Sequence, residues 1–106
     1  MDLDRRIVGL IGFAAKSGKL LLGTNAVENG IRQKRAKLVL AAADMNPKRL
    51  EIMKLWCTDS GIPFMAVGSK EEYGALLRKP PLGLKALTDE HMVSGIIEAA
   101  KASGGV

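Results

Sequence analysis

Residues 37–43 read "KLVLAAA", and from Leu38 onward every position is apolar. A strand with one wet face would alternate apolar and polar side chains. An unbroken apolar run of this length predicts a strand covered on both faces, and such strands belong to sheets flanked by helices on either side. This run therefore constrains the whole chain, whose remaining segments must supply two helical layers.

They have the spacing to do so. Leu3, Ile7, Leu10, Ile11 and Ala14 recur at helical intervals, predicting an amphipathic helix over 3–15 that Gly18 terminates. "KLLL" reads as a short strand, and Gly23-Thr24 opens a second helix extending to about Lys34. Asn46 is placed to cap a third helix with Pro47 at its first position, and Gly61-Ile62-Pro63 stops it. "FMAV" is the next strand. Ser69 and Glu72 stand at capping-box spacing before a fourth helix, "LGLKAL" is the last strand, and Asp89 caps a closing helix over about 90–102. Strands alternating with helices predict an α/β fold: a three-layer α/β/α sandwich, with a central mixed sheet of about four strands and about five helices. At 106 residues the chain reads as a single domain, 1–106, whose "SGGV" end at 103–106 is expected to fray.

The stretch "GFAAKSGKLLLGTN" resembles a phosphate-binding loop only superficially. Five residues, not four, separate Gly12 from Gly18-Lys19, Leu20 stands where Ser or Thr would hold magnesium, and a helix rather than a strand precedes it. The single cysteine, Cys57, precludes an internal disulfide and reads as a buried, inert thiol; the single histidine, His91, reads as a surface residue in the first turn of a helix. No nucleophile pair and no zinc site can be built from these. The expectation is a protein that is not an enzyme and takes no metal, cofactor or small-molecule substrate. No apolar run reaches membrane-spanning length, and "MDLDRR" lacks the layout of a signal peptide, so a cytoplasmic location is expected.

Charge is more informative. The net charge of +5 resides entirely in residues 1–40, while residues 41–106 balance. Such asymmetry suits a phosphate-rich partner. On the second helix, Val27 and Ile31 lie four apart and face inward, with Gly30 allowing close packing; Asn25, Glu28, Asn29 and Arg32 share the opposite face. Unpaired amides at this helix's start favour an anion, and Gly23 lets a phosphate backbone approach. Asparagine amides suit base edges and cations suit phosphates. The reading is that Gly23 and Thr24 supply the approach, Asn25 and Asn29 meet bases, and Lys16, Lys19, Arg32 and Lys37 meet phosphates. Glu28 stands either to pair with Arg32 or to contact a base. The alternative is a capped, solvent-facing helix with no ligand.

Only Phe13, Trp56, Phe64 and Tyr73 are aromatic, and none clusters on a strand, which argues against the base-stacking surfaces of single-strand binders. Structured RNA remains. The proline-stiffened loop "LRKPPLGL", with Lys79, Pro80 and Leu82, is a second segment able to reach it.

The ordered series "GLIGFAAKSGKLLLGTN", "RAKLVLAAADMNP" and "CTDSGIPFMAVGSKEEYGALL", followed by a strand and a helix, resembles the kink-turn-binding ribosomal proteins of the large-subunit seven-Ae and thirty-e type. The likeness covers roughly residues 5–100 and looks closest to the bacterial YlxQ-like branch. It implies the α/β/α sandwich and recognition of sharply bent RNA helices through a Gly-x-Asn-Glu-x-x-Lys sequence. Here the glycine and asparagine fall on Gly23 and Asn25, with Thr24 between, but Ala26 replaces the glutamate and Asn29 the lysine. The family's RNA-packing loop corresponds to about Lys79 through Leu82. The expected partner is structured RNA, ribosomal RNA among the candidates, bound by a monomer; a module for protein interaction that kept the fold but lost kink-turn recognition is the alternative.

Overall fold

A computed structural model describes residues 5–102, and Leu3 and the tail at 103–106 lie outside the described residues. Nine elements follow one another: α1 (Arg5–Lys16), β1 (Leu20–Leu22), α2 (Thr24–Arg32), β2 (Leu38–Ala41), α3 (Pro47–Asp59), β3 (Phe64–Ala66), α4 (Lys70–Leu77), β4 (Leu84–Leu87) and α5 (Glu90–Ala102). Every expected element is present, most of them trimmed by one to three residues.

The strands form one sheet in the order β1-β4-β2-β3. β4 runs antiparallel to both of its neighbours, pairing Leu20 with Leu87 on one side and Leu38 with Leu87 on the other. β2 and β3 are parallel, with Val39 opposite Phe64. The sheet is mixed.

Alternation along the central strands divides the core in two. Leu38 and Leu40 of β2 and Leu87 of β4 pack with Ile7, Ile11 and Ala14 of α1, Tyr73 of α4 and Ile96 of α5. Val39, Ala41, Leu84 and Ala86 face the other way, against Val27 and Ile31 of α2 and Met53 and Cys57 of α3. All four residues of β2 are buried. This is the two-sided cover that an unbroken apolar strand demands.

The caps form where the residue types place them. Asn46 accepts from the amide of Lys48 at 2.9 Å and Asp89 from that of His91 at 2.8 Å. Ser69 and Glu72 make a reciprocal capping box, with the Glu72 amide donating to Ser69 Oγ at 3.1 Å and the Ser69 amide to Glu72 Oε1 at 2.9 Å. Asp44, from the loop after β2, takes the Lys70 amide at 3.0 Å. The start of α4 is thus tied to the end of β2.

Candidate nucleic-acid interface

The C-terminal ends of β1, β2 and β3 and the N-terminal end of β4 lie along one edge of the sheet, because β4 runs opposite to the other three. The connections leaving those ends converge there. The Gly23 amide donates to the Leu84 carbonyl at 3.0 Å, which places the start of α2 directly beside the segment entering β4. The stretch at 23–25 therefore stands on the same sheet edge as the end of the loop that carries 79–82.

Gly23 holds this junction with φ 91° and ψ 164°, a conformation that is open essentially to glycine alone. It has no side chain to cap α2, so the first amides of that helix are left for a ligand or water. Thr24 is half-buried, Asn25 exposed and Ala26 half-buried on the first turn. Val27, Gly30 and Ile31 are buried as the helical spacing required. Close packing at Gly30 is real: a Cβ there would collide with Cδ1 of Leu21.

The 78–83 loop is anchored from beneath. Arg78 closes α4 in the left-handed region at φ 56°, and the Lys79 amide returns to the Gly74 carbonyl at 2.9 Å. A Cβ on Gly74 would stand 2.8 Å from the Lys79 carbonyl oxygen and 2.9 Å from that of Pro80, so the loop lies directly on bare helix backbone. The Leu82 amide donates to the Lys70 carbonyl at 3.0 Å. Lys79 and Pro80 remain exposed while Leu82 is half-buried against the core.

The other predicted residues lie elsewhere. Glu28 and Asn29 continue along the outer face of α2. Arg32 stands at its far end, 3.8 Å from Glu28 Oε1 and 5.9 Å above the centre of the Trp56 ring. Glu28 and Arg32 thus form the i,i+4 pair, which at such exposure contributes at most about 0.5 kcal/mol and leaves the Glu28 carboxylate able to exchange it for another partner. Lys16, Lys19 and Lys37 sit at the opposite edge of the sheet from Gly23: Lys19 immediately precedes β1 and Lys37 immediately precedes β2. The structure sets Gly23, Thr24 and Asn25 on the sheet edge where the loop bearing Lys79, Pro80 and Leu82 enters β4, and it puts Lys16, Lys19 and Lys37 at the other edge. A cleft of about 800 Å³ also lies away from the loops, between the ends of α2 and α3 and the start of α5, lined by Arg32, Lys37, Trp56, Ile62 and Val93 among others.

Three features escaped the sequence reading. Lys85 is a fully buried charged side chain in the centre of β4, where alternation with Leu84 and Ala86 should have marked it as facing the α1, α4 and α5 layer. Burial pulls its amine down to about 7 against the opposing pull of Asp44. The stacking of Arg32 on Trp56 and the tether from Asp44 to α4 have no local sequence signal, since each joins distant segments. Cys57, by contrast, matches its reading: it is buried, and burial pushes its thiol up to about 11. No cluster of His, Cys, Asp and Glu able to hold a metal exists among the described residues, and no helix among them is long and apolar enough to cross a membrane.

The Ribosomal protein L7Ae/L30e/S12e/Gadd45 family matches this chain over residues 5–97. The chain belongs to this family. Among proteins of the L7Ae/L30e kind, it is similar to the large ribosomal subunit protein eL8 of Thermoplasma volcanium, with 32% identity over 75 residues that cover 70% of this chain and 62% of that protein. The matched region thus spans less than two thirds of that relative's length. Of solved structures, a protein of unknown function from Bacillus halodurans superposes with a TM-score of 0.86 at 19% identity, covering 92% of this chain and 99% of that one. A Giardia lamblia 15.5kD RNA binding protein superposes with a TM-score of 0.76 at 21% identity, covering 99% and 94% respectively. Identities this low establish the shared fold, and function has to be argued from the site.

Proposed function

We propose that this chain is a non-enzymatic, cytoplasmic RNA-binding protein, ribosomal or translation-associated, that acts as a monomer on a kink-turn or a related bent or bulged helix. The observation that carries this reading is the hydrogen bond from the Gly23 amide to the Leu84 carbonyl, which sets the uncapped start of α2 beside the 78–83 loop in a chain of a ribosomal-protein family. Helix amides and Gly23 would receive phosphate, Asn25 would meet a base edge, and the Lys79–Leu82 segment would pack on the bend. Ala26 supplies no acceptor and Asn29 no cation, so base discrimination on this face would rest on the side-chain amides of Asn25 and Asn29.

Titration of a labelled kink-turn RNA beside an unbent duplex of equal length, at two salt concentrations, tests the proposal. Tight, bend-selective binding supports it; weak binding equal for both RNAs removes it. A second reading, a protein-interaction module on the same fold, is favoured by Ile52 and Leu55, which lie three apart on α3 and are 62% and 59% exposed. Capture of a partner by a mechanism insensitive to ribonuclease would support that reading instead.

A further inference from the structure

The cations that the fold separates from Gly23 are themselves gathered, and they surround the far end of α2. The nine residues Thr24–Arg32 carry the chain back across the sheet, a rise of about 13 Å, from the Gly23 edge to the edge where β1 and β2 begin. At that edge the Lys19 carbonyl accepts from the Thr88 amide at 3.0 Å and the Lys37 amide donates to the Leu87 carbonyl at 2.7 Å. Lys19 and Lys37 therefore flank the exit of β4, two strand spacings or about 10 Å apart. Each lies two residues before a side chain of the α2 and α3 layer, Leu21 and Val39, so alternation puts both on the α2 side. Lys34, in the left-handed region at φ 59°, turns the chain out of α2, and the amides of Arg35 and Ala36 both return to the Gly30 carbonyl. Lys34 and Arg35 project where the helix ends.

Lys19, Lys34 and Arg35 are exposed, and none has a carboxylate within ion-pair distance among the described residues. The Lys37 ammonium donates to the Lys34 carbonyl at 3.3 Å and meets Glu90 at 3.7 Å, but the Glu90 side chain is 77% exposed, so solvent screens the pair. Of the acids nearby, Asp89 is engaged in capping α5 and Asp59 lies across the cleft at the end of α3. The aromatic ring within reach, Trp56, is covered by Arg32, and at the end of α2 the side-chain amide of Gln33 stands among four cations. Cations spread over about 10 Å, and outnumbering the one amide beside them, fit a polyanion backbone better than a single small anion.

Building on the RNA-binding reading above, we infer that the edge formed by Lys19, Lys34, Arg35 and Lys37 is a second, sequence-independent RNA contact that holds the phosphates of the duplex flanking the bent element. The protein would then grip one RNA at both ends of α2, reading the bend at Gly23–Asn25 and securing the stem at Lys34–Lys37. Four of the eight cations in the first 40 residues form this edge.

The test uses the double variant Lys34→Asn, Arg35→Gln, with asparagine chosen because it tolerates the left-handed backbone. Wild type and variant are titrated with kink-turn RNAs carrying short or long flanking stems, over a range of salt concentrations. Wild type should bind the long-stem RNA more tightly than the short. The variant should lose that gain and show a salt slope lower by about two, about one per phosphate contact removed, while keeping its preference for bent over unbent RNA. An unchanged stem-length gain and salt slope would overturn this inference and leave the RNA-binding reading intact. Loss of the bend preference together with the slope would overturn it too, since the two edges would then be one surface. Failure of wild type to bind any of the RNAs would overturn both.

Discussion

Nζ of Lys85 lies 3.0 Å from the centre of the Tyr73 ring, over its face. The amine also donates to the Gly83 carbonyl at 3.2 Å, and the Tyr73 hydroxyl donates to the Val67 carbonyl at 2.6 Å, fixing the ring. A ring face attracts a cation, yet it replaces only part of the hydration lost on burial. An amine depressed to about 7 when folded and near 10.5 when free binds fewer protons in the native state between those limits. Stability should therefore rise with pH from about 7 towards 10, and the full penalty should apply below 7. Replacing Lys85 with Met should stabilise the protein by about 2–4 kcal/mol at pH 6 and flatten that rise. Urea melts of both proteins at pH 6, 7.5 and 9 decide it, and an equal pH slope in the two would sink the account.

Gly74→Ala should uncouple loop from helix. The added methyl would meet the carbonyl oxygens of Lys79 and Pro80, which are backbone atoms and cannot rotate away. A loss of about 1–3 kcal/mol in stability is expected. RNA affinity should fall further than that loss explains, because the displaced segment is the one proposed to pack on the bend. Gly30→Ala makes the comparison, since its clash is with a side chain of the core, Leu21, remote from the loop. If both variants bind RNA equally well once folded, the 79–82 loop is not part of the interface.

Asn25→Ala leaves α2 intact, for Asn25 is exposed and neither caps the helix nor packs in the core. Its expected effect is a loss of about 1–3 kcal/mol in the preference for bent over unbent RNA, with the salt slope preserved. Arg32→Ala should instead lower affinity for both RNAs by a smaller, salt-dependent amount, because Arg32 is already engaged by Glu28 and Trp56. Parallel titrations of the two variants separate these roles; identical affinity to wild type in both would remove the proposed site.

The thiol of Cys57 is buried and its ionisation is pushed up to about 11. At pH 8 a thiol reagent should label the folded chain far more slowly than the chain in denaturant. Rapid labelling under native conditions would mean that α3 opens locally.

The layered fold was legible because each of its signals is local. The run at Leu38–Ala41, the Ile7, Ile11 and Ala14 spacing, and the caps at Asn46, Ser69 and Asp89 each state their own geometry within a few residues. The meeting of Gly23 with the 78–83 loop was only half legible. Both segments carry the marks of exposed, constrained turns, but their adjacency depends on β4 pairing with β1 across more than sixty residues of chain. The same non-local pairing hid the separation of Lys16, Lys19 and Lys37 from Asn25. In sequence these residues are close neighbours of α2, and only the direction of the strands reveals that they lie at its other end. Lys85 was overlooked for a different reason: a lone lysine in a short apolar strand reads as a solvent face, although its alternation with Leu84 and Ala86 already put it on the side of α1, α4 and α5.

The strand order β1-β4-β2-β3 has a consequence for synthesis. The fourth strand to leave the ribosome is the second in the sheet, and β1 pairs with nothing else among the described residues. Until Leu84–Leu87 have been translated, β1 and the turn at Gly23 lack the backbone partners that hold them, while β2, α3 and β3 can already close as a parallel unit. A nascent chain should therefore acquire its centre early and the edge at Gly23 only once β4 has emerged.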